Sequence, residues 1–514
     1  MRAERGGMVA GVLQSWRDQP RALFGLCVTE MWERFGFVTM TALKLLFLVS
    51  PVAAYGLGWA KSDAFMVLAW VSIAIYMAPL AGGWLSDTLL GPRRSILLGG
   101  ALMACGYLGL GLVPYALTIG SELPLRAIVA SEGLALGQFV PDPAALARVA
   151  TRIAALTGAD PARELASFRT LYRLQSILLV GAISLVVVGN ALFKPSVSSL
   201  VGSLYTAGDA RRDGGFTLFW TCINVGSFLA MIIGGGVGER FGWHLGFFCA
   251  AVGMLGGLVV FLRVNRTLPT WVKPRRARLE APEASLDAAD RRRLAAILLM
   301  IVFAVIFNAN HGQIYGLVSL FILQDVDRSV GSFELPALWI TSLNPLLILL
   351  TAPATAALWD ILGKRGRNPS FASKFALALA LLTLGQGLLT SAAFAAQGPA
   401  QASIMWVGLG IILLSLAEIP LQPIGLAMVT RLTPARLVST MIGVWLLNYA
   451  FAAWLGNMVA SRSEHLGLPA IFALGTLSCA VATALLLVLK RPLDRWMVPA
   501  EAEPLPAELR QATA

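Results

Sequence analysis

The stretch Thr29-Glu30-Met31-Trp32-Glu33-Arg34-Phe35 places two carboxylates and a guanidinium inside an otherwise apolar run that begins near Ala22. An ionised group at bilayer depth costs about 2.5 to 3.5 kcal/mol on insertion scales, so it persists where it faces a partner or a water-filled path. Spacings of three and four residues put Glu30, Glu33 and Arg34 on one helical face. There the arginine can hydrogen-bond one carboxylate and leave the other free to titrate. The same three residues also suit a purely structural buried ion pair.

The remainder of the chain has the same apolar character. Of 514 residues, 57% are hydrophobic and 13% charged, which excludes a soluble globular protein and points to an all-α polytopic membrane protein. The net charge of +12 does not indicate nucleic acid, because the basic residues fall at the ends of apolar runs and form no patch interleaved with aromatics. Cys27, Cys105, Cys222, Cys249 and Cys479 lie within apolar runs, with neither metal spacing nor a disulfide pattern. The polar stretch from Met1 to Gln19 does not read as a removable signal peptide.

Runs long enough to span a bilayer begin near Ala22, Ala64, Ser95, Ile177, Thr217 and His244, and again near Leu294, Pro336, Phe371, Ser403, Leu437 and Pro469. Two sets of six put both termini on one side. That side carries about 26 Lys and Arg against about 10 on the other, which makes it cytoplasmic. The expected organisation is an N-tail over 1–21, a six-helix bundle over 22–262, a cytoplasmic linker over 263–293, a second six-helix bundle over 294–490 and a partly disordered tail over 491–514. A plasma membrane, such as a bacterial inner membrane, is the expected location.

The connection between spans 3 and 4, residues 114–175, is unusually long. Asp142-Pro143 and Asp160-Pro161 each pair a capping residue with proline at the first helical position, which predicts two short extra helices outside the cytoplasm. In the first, Leu146, Val149, Ile153 and Leu156 share one face while Arg148 and Arg152 share the other. The segment reads either as packing or as a lid or docking point for a protein partner.

Several motifs, in order along the chain, resemble the proton-coupled oligopeptide transporters of the major facilitator superfamily. Glu30-Met31-Trp32-Glu33-Arg34-Phe35 is similar to that family's signature on its first helix. Gly82-Gly83-Trp84-Leu85-Ser86-Asp87 with Gly91-Pro92-Arg93-Arg94 resembles the superfamily's gating loop between helices 2 and 3. Gly189-Asn190 through Lys194-Pro195 resembles helix 4. Asp209-Ala210-Arg211-Arg212-Asp213 and Phe219 through Asn224 to Gly226 resemble the entry to helix 5. Leu343-Asn344-Pro345, Glu418 with Pro423 to Leu426, and Arg436 to Trp445 continue the likeness on helices 8, 10 and 11. The resemblance implies two six-helix bundles, alternating access, and a small peptide or peptide-like substrate imported with protons. Protons would be the coupling ion, and no other cofactor, metal or nucleic acid is implied. Arg34 and Lys194 would hold the substrate carboxylate and Asn224, Asn344 and Glu418 its amino group, with Tyr76 and Trp445 lining the pocket. Glu30, Glu33, Arg34 and Lys194 would couple protons.

Depth supports the central pairing. Glu33 lies some eleven residues into its run and Lys194 roughly ten before the end of the fourth, so both sit about 15 Å from the cytoplasmic surface. Such a cluster can exchange partners when a proton or a substrate carboxylate releases one salt bridge.

The chain also departs from the family. Two tyrosines and an arginine usually follow the first motif, where this chain has Phe37, Val38 and Thr41. The seventh span, which usually carries a carboxylate next to glutamine, reads Phe307-Asn308-Ala309-Asn310-His311-Gly312-Gln313. His311 is the candidate to replace that carboxylate, although a neutral, hydrogen-bonded structural histidine is the favoured reading. Lys44, one turn above Thr41, is a candidate replacement for the missing cation or a lysine snorkelling to the outer surface. Gln422 stands where serine is common. These changes leave open a carrier or exporter of another organic zwitterion or anion. A transporter-like receptor or scaffold has no need of costly intramembrane charges, and no constellation of catalytic residues suggests an enzyme.

Overall fold

The computed structural model describes residues 18–116, 125–138, 141–205, 209, 211–268, 287–434 and 437–497. Eleven helices among them are long and apolar enough to cross a membrane: α2 (Lys61–Leu90), α3 (Pro92–Tyr115), α4 (Pro161–Gly202), α5 (Gly214–Phe241), α6 (Trp243–Val264), α7 (Ala288–Asp325), α8 (Ala337–Lys364), α9 (Phe371–Ala395), α10 (Ile404–Leu432), α11 (Thr440–Leu466) and α12 (Leu468–Trp496). The twelfth is α1 (Arg21–Val49), 29 residues long, set apart from the others by Glu30, Glu33, Arg34 and Lys44. The chain is a multi-pass membrane protein.

In the first half α1 packs on α5 and α6, and α4 packs on α2 and α3. In the second half α9 packs on α10 and α12, and α7 on α11. Across the halves α2 meets α11 and α5 meets α8. Without a hydrophobic drive between helices in lipid, small residues bring backbones together. A Cβ added at Gly82 would lie 2.1 Å from the Ala191 carbonyl oxygen, so α2 seats directly on α4. A Cβ at Gly226 would lie 2.2 Å from the Met31 carbonyl oxygen, and this holds α5 against the charged turn of α1.

Polar contacts fasten the halves together on the side away from the termini. The backbone nitrogens of Lys61 and Ser62 donate to Glu464 at 2.7 and 3.3 Å, and Lys61 Nζ donates to Gln324 at 2.8 Å. Arg328, itself buried, pairs with Glu239 at the end of α5, and Glu239 also accepts from Ala337 N at 2.7 Å. Trp339 Nε1 donates 2.8 Å to the Ile232 carbonyl, which a π-helical stretch over Ala230–Gly235 presents. Toward the termini, by contrast, no residue of α8 from Leu349 to Lys364 is buried, and Trp359 meets Lys374 of α9, its ammonium 4.8 Å from the ring centroid.

Several expectations change. Asp160-Pro161 opens no separate short helix; it caps the 42-residue α4, Asp160 accepting from Arg163 N. Nothing between Pro161 and the apolar run breaks the helix, so α4 simply extends beyond the membrane. The Asp142-Pro143 helix exists, over Pro143–Thr157, and a further one spans Leu125–Ser131. Leu146, Val149 and Ile153 are buried in the former, which packs on α4, but Leu156 is exposed. Arg148 and Arg152 converge on Glu132 at 3.4 and 3.2 Å. The seventh helix begins at Ala288, earlier than Leu294, because Asp287 caps it through Asp290 N. The last helix continues past 490 to Trp496. Arg436 and most of the expected linker and tail lie outside the described residues.

Candidate functional site

A cavity with about 980 Å³ of space not filled by atoms, its open mouth included, lies between the halves at mid-depth. Its first-half wall holds Tyr76 on α2 and Trp220, Asn224 and Ser227 on α5. The second-half wall holds Asn308, His311, Gln313 and Tyr315 on α7, Asn344 on α8, Glu418 and Gln422 on α10 and Tyr449 on α11. The size and the convergence of a few polar groups suit a small-molecule site.

Glu418 is the carboxylate of this cavity. Asn344 Nδ2 donates to its Oε2 at 3.3 Å, and His311 Nε2 lies 3.3 Å from the same oxygen, in ion-pair range but not aligned as a hydrogen bond. Tyr315 in turn donates to Asn344 Oδ1 at 2.9 Å, and the His311 ring stacks on Phe307. His311, which has no anionic partner in its own run, finds one on another helix.

Beside it runs a neutral chain of hydrogen bonds. Tyr449 donates to Gln422 Oε1 at 2.6 Å, Gln422 Nε2 to Asn308 Oδ1 at 2.8 Å, Asn308 Nδ2 to Asn448 Oδ1 at 2.8 Å, and Asn448 Nδ2 to the Trp445 carbonyl. The two departures at Asn308 and Gln422 are therefore direct partners. The residue before Gln313 is Gly312, and a Cβ there would meet nothing within 4 Å, so the position is open. Tyr449 also stacks on Tyr76, ring centroids 6.0 Å apart, joining the halves across the cavity.

The charges of the first half lie behind Tyr76, which is within electrostatic reach of Arg34. Glu33 is fully buried, and both its oxygens accept from Arg34, at 2.5 and 2.7 Å. Glu30 stands 3.6 Å from Arg34 Nε. The strong partner is thus the sequence neighbour and not the residue one turn away. Arg34 also lies over the Phe37 ring at 4.8 Å, so one of the family's missing hydroxyls is replaced by an aromatic face. Lys194 is within electrostatic reach of Glu30, Glu33 and Arg34 yet makes no ion pair within 4 Å among the described residues. One cation is engaged and the other stands by.

Other expected site residues fall elsewhere. Trp445 is 1% exposed, packed against Phe375 and so close to Gly425 that a Cβ there would lie 2.1 Å from its ring; it does not line the cavity. Asn224 lines it, its amide donating to Trp220 O in the same helix at 3.0 Å. In the gating loop Gly82 serves close packing, Asp87 and Arg94 are exposed, and Arg93 donates to Leu268 O at 2.8 Å. Lys44 belongs to a different cavity and restores no cation to this one. At the entry to α5, Arg211 pairs with Asp209 at 2.9 Å and holds its carboxyl below the usual range. Tyr315, Asn448 and Tyr449 were missed, although the polar pair Asn448-Tyr449 inside an apolar run was the available signal.

Two six-helix halves around a mid-depth polar cavity, tied together on the side away from the termini, define an alternating-access carrier of the major facilitator type. The profile of the POT family (PTR2) matches residues 93–276 and 275–467, and the chain belongs to this family. It is 28% identical to the peptide transporter YePEPT of Yersinia enterocolitica subsp. palearctica, over 93% of this chain and 95% of the relative. It is also 28% identical to the uncharacterized transporter YclF of Bacillus subtilis, with the same coverages. A solved structure of the peptide transporter POT in complex with sulfate superposes with a TM-score of 0.74 at 25% identity, covering 93% of this chain and 96% of that one.

Proposed function

We propose that this protein imports di- or tripeptides, or compounds of similar shape and charge, with protons. The observation that carries this reading is the polarity of the cavity. Glu418 and Asn344 offer acceptors for an ammonium on one wall, and Arg34 with the uncommitted Lys194 offers cations for a carboxylate behind the other. A peptide bridging them would draw Arg34 or Lys194 onto its carboxylate, weaken the hold on Glu30 and Glu33, and let one of them take a proton. Transfer of charge between partners then biases the two arrangements of the halves. The peptide transporter relative, matched over 95% of its own length, supports this substrate class.

The membrane is a plasma membrane with both termini in the cytoplasm, a reading supported by the excess of Lys and Arg on the terminal side. On that orientation the Glu239, Arg328 and Glu464 contacts close the outer side and the inner half of α8 holds no buried residue, which supports an inward-facing state. An enzymatic role has no constellation to support it, and the residues around 125–157 act in packing.

The test is uptake into proteoliposomes under an imposed pH gradient, comparing dipeptides, tripeptides and other amphoteric solutes. Accumulation of peptides above the outside concentration, abolished by a protonophore, is expected. Transport of another solute class with no peptide uptake would reject the reading in favour of a different zwitterion or anion.

A further inference from the structure

A second cavity lies in the first half, toward the side away from the termini, between α1, α2, α3, α4 and α6. It has about 760 Å³ of unfilled space, and its lining is apolar throughout apart from one ammonium, that of Lys44. The Lys44 side chain has no hydrogen-bond or ion-pair partner among the described residues. It lies five residues before the end of α1 at Val49, about 7.5 Å inside the helix end.

A roof closes this cavity from the aqueous side. Leu136 N donates to Leu57 O at 2.8 Å and Leu136 O accepts from Trp59 Nε1 at 2.5 Å, fastening the long connection over the end of α1. Trp59 and Gly137 both line the cavity, and a Cβ at Gly137 would already lie 3.0 Å from Leu179. The lining residues with the most outward exposure are Val67 on α2 and Val180 on α4, which places the mouth sideways, toward the acyl chains.

We propose that this cavity binds a long-chain fatty acid that enters from the bilayer, its carboxylate on Lys44 and its chain against Met40, Leu68, Val71 and Ile183. An unpaired ammonium in apolar surroundings is costly, and an anion delivered on an apolar chain satisfies both parts of the lining. A neutral lipid leaves the ammonium unpaired. A phospholipid carries a bulky headgroup and a second chain that the roof and the single-cation lining do not accommodate. The inference does not depend on which solute the central cavity carries.

The test uses full-length protein in phosphatidylcholine nanodiscs at near-neutral pH, where the lysine is an ammonium, with radiolabelled oleate and oleyl alcohol as probes. Saturable oleate binding is expected, weakened roughly tenfold or more by Lys44→Met, retained by Lys44→Arg, and blocked by Val180→Trp at the mouth. Equal binding of oleate and oleyl alcohol, unaffected by Lys44→Met, would overturn the charge assignment. Displacement of oleate by phosphatidylglycerol at comparable concentration would overturn the single-chain assignment. If Lys44→Met does not fold, unchanged saturable oleate binding in Val180→Trp overturns the site itself.

Discussion

The first half of the chain holds Glu30, Glu33, Arg34 and Lys194 at mid-depth, whereas the second half surrounds one carboxylate, Glu418, with Asn308, Asn344, Gln422, Asn448 and His311. Both arrangements keep polar groups in an apolar setting, where an unsatisfied group is costly. They differ in what can change. In the ion cluster Arg34 is taken by Glu33 while Glu30 and Lys194 are held loosely, so a proton or an incoming carboxylate can redistribute the partners. In the amide chain each donor from Tyr449 to Asn448 already has an acceptor and every group is neutral, so there is no salt bridge for a proton or an incoming carboxylate to release. Movable charge therefore belongs to the first half, and fixed recognition to the second.

The sharpest way to break this contrast is Glu33→Gln. The variant removes the bidentate partner of Arg34 and leaves the amide chain intact. It is expected to abolish accumulation above the external concentration, leaving only exchange down a substrate gradient. Unchanged uphill uptake at equal expression would make the cluster a structural ion pair. The next largest effect falls on the seam between the halves. Glu239→Gln leaves Arg328 with only the exposed Glu334 and the Leu335 carbonyl as partners, a loss of about 1.5 to 3 kcal/mol for one charge-assisted contact. Distance measurements between spin labels at the outer ends of α5 and α8 should then show an outward-open population. An unaltered distance distribution would show that other contacts hold the outer side closed.

Glu418→Ala tests recognition in the second half. A charge-assisted contact is worth about 1.5 to 3 kcal/mol, so peptides with a free amino terminus should lose roughly tenfold or more in affinity. N-acetylated peptides should lose far less, and equal losses for both would remove Glu418 from amine binding.

Why one half was more legible than the other follows from the range of its interactions. Glu30, Glu33 and Arg34 lie within five residues, and their cost in an apolar run announces them. Which carboxylate takes Arg34 stayed open, because helical spacing brings both within reach, and the structure pairs it with Glu33. Asn308 and Gln422 drew attention only as separate departures. Their bond spans 114 residues, and that to Asn448 spans 140, distances at which no local pattern reports contact. Trp445 was misplaced for a related reason: an aromatic in an apolar span has the same sequence appearance whether it faces a cavity or a glycine on α10. Proline after aspartate identified both caps around residues 142 and 160, but a cap marks where a helix starts and carries no information on its length.

Gln422→Ala sharpens the contrast from the neutral side. It leaves Tyr449 and Asn308 each short of a partner, at a cost of about 1 to 3 kcal/mol. The thermal transition should fall by a few degrees while the ratio of accumulated to external peptide is kept. Lost coupling with unchanged stability would place the amide chain in the proton path.

The smallest effect is expected at His311, and it decides where coupling resides. The side chain sits in the second half beside Glu418, so it has the partner that a proton-carrying imidazole needs. Yet Glu418 already accepts from Asn344, and the His311 nitrogen is not aligned on the shared oxygen, so the carboxylate keeps a hydrogen bond when the histidine is removed. Asparagine at this position retains polarity and can donate to Glu418 itself. His311→Asn should accordingly preserve proton-driven uptake and alter its rate or pH optimum only a few-fold, the size of one neutral hydrogen bond. Glu33 has no such substitute, because Arg34 would be left with only the looser contact to Glu30 at 3.6 Å. Measuring both variants in the same proteoliposomes against a graded pH difference separates the alternatives. Uncoupled transport in His311→Asn, together with intact coupling in Glu33→Gln, would move the proton site to the second half and reverse the division of labour between the two walls.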